Sequence, residues 1–195
     1  MNHLLAKKTG RNGAFVKLMS NEEIFDLPDD LDNPHVYDSD YSLDEDEWFG
    51  ISDFSETDYC IDFITTDFNS AEYNQIANND YANLKYLCSY QDDRYYYFQK
   101  LGSSQTVRKK WFKISNEPEL VEDPIIIIKT YADAIYDRED DILYFKNLAS
   151  ISSIFPGIDE LYREATQEDT EEFLQVNFIA LVDDYSAEKV KKANR

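Results

Sequence analysis

The sequence predicts an α+β protein: a mixed or antiparallel sheet with a Tyr-rich hairpin, packed by amphipathic helices and followed by a helical C-terminus. Three observations predict it. Residues 94–145 carry short β-rich segments separated by turn residues, residues 69–88 and the stretch after Ile151 place apolar side chains at helical spacing, and the acids crowd into the first third of the chain. Between Leu18 and Leu84 there are 19 Asp or Glu and no Lys or Arg, so much of the net charge of −21 is a regional property. We therefore divide the chain into an acidic N-terminal segment, 1–57, with a mobile loop at roughly 28–47, and an α+β domain, 58–195.

Taken in order, Gly13 to Met19 alternates around Phe15, Val16 and Leu18 and predicts a first strand. Pro28 and Pro34, set among Asp and Asn, break regular structure. Tyr59, Ile61 and Phe63 alternate with Cys60, Asp62 and Ile64, which predicts a strand over 58–67. Asn69 with Glu72 three residues later predicts a helix cap, and Tyr73, Ile76, Ala77, Tyr81, Leu84, Leu87 and Cys88 continue it for about five turns. Arg94–Leu101 and Val107–Ile114 then read as two strands of a hairpin looped through Gly102, Ser103 and Ser104. Four consecutive isoleucines, Ile125–Ile128, predict a strand buried on both faces. Ala134–Tyr136 and Ile142–Phe145 are further strands around the charged turn 137–141.

Beyond these, Ile151, Ile154, Phe155, Ile158, Leu161 and Tyr162 follow a helical period interrupted at Pro156-Gly157. Thr166 with Asp169 predicts another helix start, and Ser186 caps a last helix ending in Lys189, Lys191, Lys192 and Arg195. That charged end reads as a handover to further sequence, so the domain is expected to be incomplete at its C-terminus.

Composition narrows the chemistry. No apolar run approaches the ~20 residues of a membrane span, so a cytoplasmic home is expected, with any membrane association supplied by a partner. Cys60 and Cys88 lack CxxC spacing and suit a reducing compartment. His3 and His35 are the only histidines, which argues against a His/Cys metal set or a nucleophile with a histidine base. The acidic run Asp38…Glu47 lacks a central Gly and has Phe49 at the twelfth position from Asp38, so it is no EF-hand. Asp133, Asp137, Asp140 and Asp141 could meet at strand ends, but turn acids are ordinarily solvated. No cofactor, metal site or catalytic residue is expected.

The sharper candidate is the hairpin. Arg94, Lys100, Arg108, Lys109, Lys110 and Lys113 bring six cations within twenty residues without an acid, interleaved with Tyr95, Tyr96, Tyr97, Phe98, Trp111 and Phe112. Cations that neutralise phosphates beside rings that stack on bases suit a nucleic-acid surface. The competing reading puts alternate rings in the core and leaves the cations solvated or paired with the acids. Lys191, Lys192 and Arg195 form a second basic group, which a helix C-terminus also favours for its dipole alone.

At Asp133-Ala-Ile-Tyr-Asp137, Ile142-Leu-Tyr-Phe-Lys146, Ile154 through Thr166 and Glu171-Glu-Phe-Leu174, the chain resembles the Kiwa B-like family of bacterial antiviral-defence proteins, over roughly residues 60–195. Lys191 to Arg195 resembles the start of that family's next basic helix. The resemblance implies a non-enzymatic protein that contacts DNA, self-associates as a homo-oligomer and works with a small transmembrane partner. The alternative, resting on the 19-to-0 charge run, is an acidic interaction or decoy protein that mimics DNA or binds a basic protein.

Overall fold

In the computed structural model, the described residues are 1–10, 13–77, 80–102, 105–107, 110–113, 117–122, 125–162 and 171. Strands dominate: β1 (His3–Lys8), β2 (Phe15–Ser20), β3 (His35–Val36), β4 (Phe49–Ser52), β5 (Leu84–Gln91), β6 (Tyr95–Lys100), β7 (Thr106–Val107), β8 (Trp111–Lys113), β9 (Glu119–Val121), β10 (Ile125–Ile126), β11 (Ala134–Asp137) and β12 (Ile142–Phe145). Eight of them make one sheet in the order β2-β1-β5-β6-β11-β12-β4-β3. It is antiparallel except for the terminal β3/β4 pair, so the sheet is mixed and the protein, α+β in outline, is mostly β. The helices α1 (Asp62–Thr65) and α2 (Leu148–Ile151) are four residues each. Residues 1–159 form one compact unit, which takes in the acidic stretch, and 160–195 a second, of which only residues 160–162 and 171 are described.

Both faces of the sheet are covered, and this explains where the sequence expectations fail. Residues paired across strands share a face. Leu4, Ala6, Val16 and Leu87 lie on one, continuous in register with Tyr97, Ile135 and Tyr144, and Phe25, Trp48 and Ala132 pack over the latter group. The opposite face presents Cys88, Phe98, Ala134 and Phe145. Phe54 and Phe155 meet there at 5.1 Å, Phe98 and Phe155 also at 5.1 Å, and Phe63 reaches Tyr96 at 5.5 Å. A strand buried on both sides loses its two-residue alternation.

For that reason the five-turn helix over 69–88 does not exist. Asn69 does cap, its side chain accepting from the Ala71 N–H at 3.1 Å and donating to Glu72 at 3.0 Å, but the turn ends at Glu72. Leu84, Leu87 and Cys88 belong to β5, whose spacing imitates a helix because both faces are apolar. The strand expected over 58–67 is instead α1, closed where the Thr65 hydroxyl donates to the Asp62 carbonyl at 3.0 Å. Residues 94–101 and 107–114 do not form a hairpin with each other. β6 pairs with β5 and β11, β7 pairs with β10, and β8 pairs with β9. The β5/β6 hairpin turns at Asp92 and Asp93, both left-handed with φ of 56° and 54°, as a primed hairpin turn requires. The Ile125–Ile128 run is not doubly buried either: Ile127 and Ile128 are 47% and 39% exposed. The four-residue helices replace the amphipathic helices expected to pack the sheet. The C-terminal helical expectations from Thr166 onward lie outside the described residues.

Several expectations do match. β2 and the β11/β12 hairpin stand where the alternation placed them, while β1 had no counterpart in the sequence reading. Its partner β2 ends the sheet, and the outer edge of β2 is covered: Lys17 N–H donates to the Asn74 carbonyl at 2.8 Å, and Ile76 N–H to the Lys17 carbonyl at 2.9 Å.

Two buried glutamines pin the connections that cross the first face. Gln91 Oε1 accepts from the N–H groups of Ile24 (2.9 Å) and Phe25 (3.0 Å) and from the Ser89 hydroxyl (2.9 Å), and its Nε2 donates to the Phe25 carbonyl (2.9 Å). Gln99 donates to the Ile127 carbonyl and accepts from the Lys129 N–H, both at 2.9 Å. Gln91→Leu strands two N–H groups and a carbonyl at once, so we expect a loss of about 2–3 kcal/mol in urea denaturation. A midpoint equal to the parent's would show that the 24–25 segment does not depend on this clamp.

Candidate functional site

Because the core takes the apolar residues on both sides of the sheet, the charge between residues 18 and 84 is left on the surface. Of its 19 carboxylates, 16 are exposed; Asp30, Glu47 and Asp80 are the partly covered ones. Among the described residues, few cations reach them. Lys8 pairs with Asp80 at 3.0 Å and Arg138 with Asp67 at 2.5 Å. Residues 28–47 carry β3 and are tied locally. Trp48 Nε1 donates to Asp30 at 3.2 Å, while Lys146 donates to the Glu45 carbonyl and lies 4.7 Å above the Trp48 ring. The Glu47 carboxylate accepts from the Asp44 N–H and the Tyr41 hydroxyl, both at 2.9 Å, and meets His35 Nε2 at 3.0 Å. The Asp44 N–H, with Tyr41 and His35 behind it, holds that carboxyl below the ordinary glutamate value.

Among the described residues, the basic candidates are dispersed. Arg94 anchors the β11/β12 turn: Nε donates to Asp137 Oδ1 at 2.7 Å and Nη2 to Asp140 at 2.7 Å, with further contacts to Asp137 Oδ2 and Glu139. Tyr96, Tyr97 and Phe98, offered by the sequence as stacking rings, are buried in the two core faces. Lys100 is exposed, on β6; Lys110 pairs with Glu122 at 2.5 Å; Lys113 is exposed on β8, the strand of Trp111, which belongs to a different sheet from β6. Arg108, Lys109, Lys191, Lys192 and Arg195 lie outside the described residues. The four aspartates that could have met do not: Asp137 and Asp140 share Arg94, Asp141 accepts from Ser55 and Tyr136, and Asp133 pairs with Lys129 at 2.6 Å. Among the described residues no group of three or more His, Cys, Asp or Glu could hold a metal ion, and no helix is long and apolar enough to cross a membrane.

One polar cleft of about 420 Å³ is lined by His3, Asp67, Phe68, Tyr90, Asp93 and Arg138, with the Met1 ammonium 3.2 Å from Asp93. Burial first, then the nearby ammonium and Lys17, lower the His3 pKa, and its Nδ1 lies 2.8 Å from the Ser20 hydroxyl. Its charges are already matched within the cleft, Arg138 to Asp67 and Met1 to Asp93. Sequence reasoning missed it because the residues come from four separate segments.

Comparison with known protein families, with curated proteins and with solved structures finds no match to this chain. The charge-bearing surface is the feature from which function has to be read.

Proposed function

We propose that this is a non-enzymatic binding protein whose acidic face docks a basic protein partner. The observation that carries the reading is the display of 16 exposed carboxylates along 22–72, with no Lys or Arg between Leu18 and Leu84. Such a surface steers basic partners and repels nucleic acid, the behaviour of a DNA mimic or an immunity-type protein. A second reading follows the Kiwa B-like resemblance: an antiviral-defence protein that contacts DNA, self-associates and works with a small transmembrane partner. Exposed Lys100 and Lys113 support it, as do the basic residues at 108, 109, 191, 192 and 195 in the sequence.

One experiment separates them. A lysine-rich histone and a short DNA duplex are each titrated with the protein at about 0.05 M and about 0.3 M salt, on either side of the range where exposed charges become screened. The first reading expects histone binding that weakens at least tenfold at the higher salt and is reduced by Glu45→Gln with Asp46→Asn, with no shift of the duplex. Salt-dependent binding of the duplex, weakened by Lys100→Glu with Lys113→Glu, together with no histone binding, would replace it with the second.

A further inference from the structure

The isoleucine run that fails to be buried stands beside the acidic segment. The Asp26 N–H donates to the Thr130 carbonyl at 3.3 Å, which sets the 26–27 backbone against 130–131. Gln99 fixes the backbone of Ile127 and Lys129 from within the core, and Ala132 and Phe25 are buried in the same cluster. The anchoring residues face inward, and their neighbours face solvent: Leu27 is 43% exposed, Ile127 47%, Ile128 39% and Tyr131 52%. Four large apolar side chains on two adjoining segments are more than scattered surface residues.

Along the 22–32 segment the charge beside this patch has one sign. Glu22, Glu23, Asp26, Asp29 and Asp32 are all exposed along the segment that carries Leu27. The one cation among the described residues of 20–33 and 125–133, Lys129, is held by Asp133 at 2.6 Å. An apolar centre with an acidic rim has the anatomy of a protein interface, and its complement is an apolar stripe flanked by Lys or Arg. A copy of this chain would bring carboxylates against carboxylates, and an anionic membrane would be repelled in the same way.

We propose that Leu27, Ile127, Ile128 and Tyr131, rimmed by Glu22, Glu23, Asp26 and Asp29, form the docking surface for a basic amphipathic segment of a protein partner. This rests on the acidic-face reading and places its partner. The cations of that segment draw it to the rim, and its apolar stripe fills the centre, so that charge governs the encounter and the patch governs residence.

The test uses two labelled probes of equal charge: a helical peptide with Leu on one face and Lys on the other, and an oligolysine without apolar residues. Fluorescence anisotropy with the full chain should give at least tenfold tighter binding of the Leu/Lys peptide at about 0.3 M salt, where exposed charges are screened. Ile127→Ser with Tyr131→Ser should abolish that preference and leave oligolysine affinity unchanged; Leu27→Ser, on the other segment, should reduce it independently. Circular dichroism melts confirm that each variant is folded. If the variants keep the parent's preference, the docking surface is wrong and the acidic-face reading stands. If the parent binds neither probe at low salt, both are wrong.

Discussion

Ile135→Asp should abolish the folded state, whereas Ile127→Asp should leave it nearly untouched. Ile135 sits in β11, between β6 and β12, fully buried against Phe25, Trp48, Tyr97 and Tyr144. A lone carboxylate there costs several kcal/mol, comparable with the whole stability of a domain of this size, roughly 5–15 kcal/mol. At 47% exposure the Ile127 side chain keeps its access to water, so an aspartate there should change stability by less than about 1 kcal/mol. Thermal melts of the two variants decide the matter: a cooperative Ile135→Asp transition near the parent's, or an unfolded Ile127→Asp, would mean that the core has been assigned to the wrong residues.

Arg94→Ala should destabilise by about 2–4 kcal/mol at neutral pH, because it leaves the buried Asp137 carboxylate without its cation. The loss should depend on pH in a definite sense. Burial by itself would raise the Asp137 carboxyl, but Arg94 and the N–H groups of Glu139 and Asp140 outweigh it and hold the group below the ordinary aspartate value. Its folded-state pKa is depressed, so its contribution is complete above the unfolded value of about 3.9 and disappears as pH falls through the folded value. Without Arg94 the burial effect is opposed only by the two N–H groups, and the carboxyl accepts its proton at higher pH. The gap between parent and variant in urea denaturation should therefore narrow from pH 7 towards pH 3. A gap that stays constant would assign the cost to the lost contact of the Arg94 guanidinium, whose Cζ lies 5.0 Å from the Tyr95 ring centroid.

The strands legible in the sequence are those with a local signature. The β11/β12 hairpin has β-rich runs on both sides of a charged turn, and β2 alternates. β5 was hidden because Leu84, Leu87 and Cys88 satisfy a helical template as well as a doubly buried strand, and only pairing with β1 and β6 decides between them. The isoleucine run misled in the opposite direction. Its hydrophobicity promised burial, but Ile125 and Ile126 alone enter a strand, and Gln99 ties the backbone beyond them while two side chains stay outside. At the candidate site, the charge run was plain from composition. The Arg94 cluster was not, since Arg94 and Asp137 are 43 positions apart and meet only through the β6/β11 register.

The two ends of the main sheet bear on how copies of this protein can associate. An unpaired strand edge invites a second chain to add its own strand, the usual route to aggregates. Here one terminal strand, β2, already has its outer N–H and carbonyl at Lys17 occupied by the 74–76 segment. The other, β3, is two residues long and lies within a densely anionic stretch, too short and too charged to template a neighbour. With strand addition blocked at both ends and both faces covered, this sheet offers a second copy no backbone to pair with, and self-association would have to proceed through side chains of the segments that cover it.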